Sequence, residues 1–219
     1  MNVPDDVRRF VRAAGPEHTP VQERMAEFAA EHRFPNIGPE AGGVLRTLAR
    51  LTGAGTVFEF GSGFGYSASW FLRGGADHVV LTELDDDELD QGREFLADAG
   101  LADRCSFEGG DALDTVDRYD GPFDVVLVDH HKEGYCDALE AATPKLREGG
   151  VVVADNVMRG PIDFDAVLAH LEGEPEAIDA DDEPSRAIAD YLDTVCHDDR
   201  FETVALPVGS GLAVSTKVA

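Results

Sequence analysis

The chain has 219 residues, 43% of them hydrophobic, and carries 44 carboxylates against 18 lysines and arginines for a formal net charge of −26. That length and apolar content suit one sizeable core, not two, and a packed globule, not a disordered chain. The acidity argues against nucleic acid as a partner, because phosphate contacts need basic patches.

In chain order, three amphipathic segments come first, at 4–14, 19–33 and 40–52, the second with Val21, Met25, Phe28 and Ala29 at helical spacing. The period then changes. Short β-branched runs, "TVFEF" (56–60), "HVVLTE" (78–83), "RCSFEG" (104–109), "FDVVLVD" (123–129) and "GVVVAD" (150–155), alternate with helical patterns. Strand, helix, strand, helix predicts a parallel sheet covered on both faces, and the unbroken apolar cores "VVLV" and "VVVA" agree. The stretch 172–184, "EGEPEAIDADDEP", reads as a solvated acidic connection, with a mobile lid as the alternative. At the end "FETVALPVG" and "SGLAVSTKV" are joined by a Gly/Pro turn with no helix between, so they should pair antiparallel. The expectation is therefore an α/β fold: a Rossmann-like doubly wound sheet, mostly parallel with an antiparallel last strand. One domain spans 1–219, with 1–52 a helical extension and 53–219 the α/β core.

The longest apolar runs fall far short of the ~20 residues that cross a bilayer, and "MNVPDDVRRFVRAAG" lacks a signal peptide's apolar run, which predicts a cytoplasmic protein with no membrane partner. Cys105, Cys136 and Cys196 are odd in number and widely spaced, and read as buried free thiols. The acidic residues are spread along the whole chain as a coat, with only three lysines, as expected of a protein adapted to concentrated salt, where the Debye length shrinks to ~3 Å at 1 M.

In an open α/β sheet, ligands bind at the carboxyl ends of the strands, so the residues after each run belong together. After the first run comes "EFGSGFGYS", in which Gly61, Gly63 and Gly65 allow a tight turn and close approach to a ligand, and the following helix offers free N–H groups. The spacing G-x-G-x-G differs from the G-x-G-x-x-G of dinucleotide binders and points away from nicotinamide. After the second run stands Glu83, able to accept both hydroxyls of a ribose; after the third stands Asp111, placed for an adenine edge. After the fourth and fifth stand Asp129 and the pair Asp155-Asn156, two carboxylates and an amide oxygen able to converge on one hard cation. Oxygen ligands without sulfur point to magnesium, manganese or calcium, not zinc. His130 and His131 are assigned to packing around the nucleoside. For Asp155-Asn156 the alternative is a helix cap, and for Lys132 a surface lysine paired with Glu133.

With these residues in hand, the chain resembles the cation-dependent class I O-methyltransferases that use S-adenosylmethionine, the group of the catechol and caffeoyl-CoA enzymes, from about Asn36 to Lys217. "NIG" (36–38), "EFGSGFGYS", "DHHKEGY" and "ADNV" are similar to the family's motifs and occur in its order. The resemblance implies S-adenosylmethionine held by Ile37, Glu59, Gly61, Ser62, Gly63, Tyr66, Ser67, Glu83, Asp111, Ala112, Asp129 and His130. It also implies a divalent cation, magnesium first, on Asp129, Asp155 and Asn156, with Lys132 as catalytic base. The acceptor it implies is a small catechol-like or hydroxylated aromatic molecule, and the assembly a homodimer. Ser210 replaces the aspartate of the family's P-x-G-D-G turn, and Leu192 stands where many members carry asparagine; both departures bear on the acceptor. Two other functions fit the same motifs: methylation of a hydroxylated tRNA base, and cofactor binding without turnover.

Overall fold

The computed structural model describes residues 3–219, so Met1 and Asn2 of the expected extension lie outside the described residues. Three helices come first: α1 (Asp5–Ala14), α2 (Pro20–His32) and α3 (Gly38–Thr52). Thr19 and Gln22 form a capping box that starts α2, and Gly53 in a left-handed conformation ends α3.

The α/β part then runs β1 (Thr56–Phe60), α4 (Tyr66–Gly74), β2 (His78–Glu83), α5 (Asp86–Asp98), β3 (Cys105–Gly109), α6 (Ala112–Val116), β4 (Phe123–Val128), α7 (Tyr135–Ala142) and β5 (Leu146–Ala154). It closes with α8 (Phe164–Leu171), α9 (Glu183–His197), β6 (Phe201–Leu206) and β7 (Leu212–Lys217). Among the described residues the strands form one seven-stranded sheet of order β3-β2-β1-β4-β5-β7-β6. The pairs among β1 to β5 are parallel, while β7 runs antiparallel to β6, as the final turn predicted, and also to β5. Two boundaries differ from expectation: β5 begins at Leu146, earlier than "GVVVAD", where its pairing with β4 slips register between Phe123 and Val125. The acidic stretch carries a short 3₁₀ turn at Pro175–Ala177 and already contains the start of α9.

Side chains alternate across the sheet, and this explains the apolar runs. In β4, Val125 and Leu127 face a core shared with Leu45, Trp70, Phe71 and Leu96, whereas Val126 and Val128 face a second core shared with Tyr135, Ile188 and Tyr191. Part of the acidity has a local use as well. Asp85, Asp111, Asp163 and Asp182 accept backbone N–H groups at the starts of α5, α6, α8 and α9. The three cysteines are free thiols but not buried as expected: Cys105 and Cys136 are half-buried, and Cys196, on α9, is exposed.

Candidate active site

The order of the sheet reverses between β1 and β4, so the chain leaves these neighbours in opposite directions and a crevice opens at their carboxyl ends. A cleft of about 470 Å³ lies there. Its lining includes Ile37, Gly61, Ser62, Gly63, Tyr66, Ser67, Glu83, Asp129, His130, Lys132, Asp155 and Asn156, twelve of the residues singled out in the sequence, and also Ser210. Three others lie elsewhere. Glu59 is fully buried, whereas Asp111 and Ala112 do not line the cleft; Asp111 caps α6 through Leu113 N–H at 2.8 Å, although its charge still acts on His130. Leu192, 7% exposed, packs in the core.

The glycine loop is shaped by close backbone approach. Gly61 has φ 82, and a Cβ there would meet the Asp129 carbonyl oxygen at 2.6 Å, so glycine is what lets the ends of β1 and β4 touch. Glu83 is fixed by the same loop: its Oε2 accepts from Gly63 N–H at 2.8 Å, and its Oε1 accepts from the N–H groups of Leu84 at 2.8 Å and Asp85 at 3.2 Å. Three amide donors hold the carboxylate in one orientation at the cleft wall. Below, neither carboxyl oxygen of Glu59 has a hydrogen-bond partner; burial pushes its pKa up to about 8, with Ser67 near enough to temper the shift.

Beyond β4 the chain enters a short turn that buries Lys132, only 6% exposed, so the surface pairing with Glu133 does not describe it. Its Nζ donates to Asn156 Oδ1 at 2.6 Å, to Tyr135 Oη at 2.5 Å and to the His130 carbonyl at 3.3 Å, and stands 3.9 Å from Asp129 Oδ1. Tyr135 in turn donates to the Asp155 carbonyl at 3.0 Å. Burial lowers the Lys132 pKa, opposed by Asp129 and Asp155. Burial, then Asp155, raises that of Asp129; burial raises that of Asp155 to about 6. The rings of His130 and His131 stack at 4.7 Å, and burial, with help from His131 and Lys132, lowers the His130 pKa to about 4, which keeps it neutral.

Asp155 and Asn156 do not cap a helix, since the next helix begins at Phe164; instead Asn156 takes a left-handed φ of 59. This turn is secured from the other side by Gly211 and Ser210, whose carbonyls accept from Val157 and Met158. Asp155 Oδ1 is buried without a hydrogen-bond partner, and Asn156 Nδ2 donates to Asp155 Oδ2 at 3.2 Å. Among the described residues no three His, Cys, Asp or Glu side chains converge as a metal set. The donor group here is two carboxylates and one amide oxygen, with an orphaned carboxylate atom among them, and that chemistry fits a hard divalent cation.

Sequence reasoning passed over Tyr135, although it falls one helical turn after Lys132, and Phe34, which lines the cleft from the segment between α2 and α3.

Known proteins share this sequence pattern and this fold. A catechol O-methyltransferase of Mycobacterium tuberculosis is 33% identical over 192 residues, covering 81% of this chain and 87% of that protein. The O-methyltransferase from Bacillus cereus in complex with SAH superposes with a TM-score of 0.83 at 25% identity, covering 97% of both chains. The cofactor-bound Rv0187 from MTB gives a TM-score of 0.83 at 28% identity, covering 99% of this chain and 98% of the other. Among the described residues no helix is long and apolar enough to cross a membrane. The O-methyltransferase family model matches residues 14–218, nearly the whole of the sequence, and the chain belongs to that family.

Proposed function

We propose that the protein transfers a methyl group from S-adenosylmethionine to a hydroxyl of a small catechol-like or hydroxylated aromatic acceptor, with a divalent cation at Asp129, Asp155 and Asn156. The observation that carries this reading is the buried Lys132, whose Nζ lies 2.6 Å from Asn156 Oδ1 and 3.9 Å from Asp129 Oδ1. The cofactor would lie along the glycine loop, its ribose on Glu83, its methionine end against Ile37, Tyr66 and Ser67, and its adenine toward His130, Asp111 and Ala112. The bound SAH of the Bacillus cereus relative supports that cofactor, and the named catechol activity of the mycobacterial relative supports the acceptor class.

A phenol of pKa ~10 is about one part in a thousand ionised at neutral pH, so ionisation costs ~4 kcal/mol. When bound, the cation would offset part of that cost as a Lewis acid. Lys132 acts as base only as the neutral amine, a form its burial favours by weakening its hold on its own proton; that amine then takes the acceptor's proton. Arginine cannot do this, and that accounts for a lysine retained in a chain with only three. With cofactor and acceptor bound, the walls of the cleft would align the two reactants, an effect worth up to ~7–11 kcal/mol in the best intramolecular cases. The reading further takes 1–219 as one methyltransferase domain, acting in the cytoplasm as a homodimer.

The test is methyl transfer from labelled S-adenosylmethionine to caffeic acid and a panel of other catechols, in high potassium chloride, with magnesium and with excess EDTA. Turnover that requires the metal is expected. Turnover that survives EDTA removes the cation from the reading, and cofactor binding without transfer to any phenol replaces the enzyme by a binding protein.

A further inference from the structure

We propose that Phe34 is a cofactor-contacting residue whose ring, seated in the notch left by the missing side chain of Gly63, closes the glycine-loop end of the cleft. This rests on the reading of the cleft as the S-adenosylmethionine site and adds to it a wall supplied from outside the α/β core.

The ring and the loop are fitted to each other. A Cβ at Gly63 would lie 2.8 Å from Phe34 Cζ and 3.0 Å from Cε1, closer than non-bonded carbons approach, so the ring would have to move away. Gly63 also has φ 48 and gives its N–H to Glu83 at 2.8 Å, so the atom beneath the ring belongs to the same peptide that orients the proposed ribose acceptor. Phe34 lines the cleft together with Gly63 and Glu83.

Its position is set by the backbone ahead of it. Arg33 ends α2 in a left-handed conformation at φ 55, and Phe34 N–H donates to the Ala29 carbonyl at 2.9 Å, which turns the chain back over the loop. The ring meets that of Phe64 edge-on at 5.0 Å, so it is braced from the core while still lining the cleft. A braced aromatic ring is a low-entropy wall for the carbon face of a ribose, a contact that S-adenosylhomocysteine and S-adenosylmethionine share.

The experiment is calorimetry of S-adenosylhomocysteine with the full chain and with Phe34→Ala, Phe34→Leu, Gly63→Ala and the Phe34→Ala/Gly63→Ala double variant, alongside KM values for cofactor and acceptor. Phe34→Ala should weaken binding about tenfold and raise the cofactor KM in step, with a much smaller change in acceptor KM. Phe34→Leu should recover most of the loss. Gly63→Ala should weaken binding by at least about fivefold in the wild-type background and by less when Phe34 is absent, since the clash is then relieved. Wild-type affinity in Phe34→Ala overturns the proposal, as does an equal rise in both KM values, which marks a general packing defect. Should Phe34→Ala fail to fold, wild-type affinity in Gly63→Ala overturns it instead. If the unaltered protein itself does not bind S-adenosylhomocysteine, the cofactor reading fails and this proposal with it, an outcome distinct from normal binding that ignores Phe34.

Discussion

Lys132 Nζ lies 2.6 Å from Asn156 Oδ1, a contact that ties the turn after β4 to the turn after β5. Its consequence for catalysis is tested by Lys132→Arg. The variant keeps a positive charge, but a guanidinium does not release its proton at working pH. Turnover should fall by at least ~100-fold while S-adenosylhomocysteine binds within a few-fold of normal. A single-turnover assay at saturating cofactor checks this, and a retained rate would defeat the role of base.

Tyr135→Phe removes the hydroxyl that accepts from Lys132 at 2.5 Å and donates to the Asp155 carbonyl at 3.0 Å. The lost bonds lie in a buried setting, so stability should fall by ~1–3 kcal/mol. Turnover should drop as well, because the ammonium is no longer held at one point. Urea unfolding together with steady-state kinetics reads both effects; a variant with wild-type turnover would show that Tyr135 serves the fold alone.

Glu83→Gln exchanges one acceptor oxygen for an NH₂ group that faces backbone donors at Gly63 or at Leu84 and Asp85. The amide cannot satisfy all three, so the loop relaxes and a ribose contact is lost together. S-adenosylhomocysteine affinity should fall about tenfold or more by calorimetry. An unchanged Kd would remove Glu83 from the cofactor site.

Glu59 makes ligand-free stability depend on pH in a direction opposite to that of a salt-bridged carboxylate. Its folded pKa, about 8, stands above the ordinary value of 4.5, so the native state holds the proton more tightly than the unfolded chain does. The stabilisation is full below the unfolded pKa and is lost as pH rises through about 8. Glu59→Gln should therefore be more stable than the wild type at pH ~8.5, by on the order of 1–3 kcal/mol, with a smaller difference at acid pH. Chemical denaturation of both proteins at the two pH values checks it, and parallel pH profiles would refute it.

The sheet could be read from the sequence because β1, β2, β4 and β5 are buried on both faces and have no polar alternation to confuse the pattern. The strand-end residues Glu83, Asp129, Asp155 and Asn156 were legible for the same reason, since each follows at once on such a run. What stayed hidden depends on contacts distant in the chain. That β7 enters between β5 and β6 is set by pairing, not by local pattern. The seating of Phe34 on Gly63 joins the prelude to the glycine loop, and Tyr66 finds His18 at 2.8 Å across 48 residues. Asp111 has a local task that the strand pattern does not show: one carboxylate oxygen caps α6 through Leu113 N–H.

Asn156 also limits what evolution can put at its position. Its φ of 59 suits glycine, asparagine and aspartate and strains most other side chains. Glycine would keep the turn but remove the oxygen that Lys132 reaches. Aspartate would keep turn and oxygen alike, yet it would set a third carboxylate beside Asp129 and Asp155, whose protons are already held more tightly than usual. Backbone and side-chain chemistry thus set separate demands on this position, and asparagine meets both.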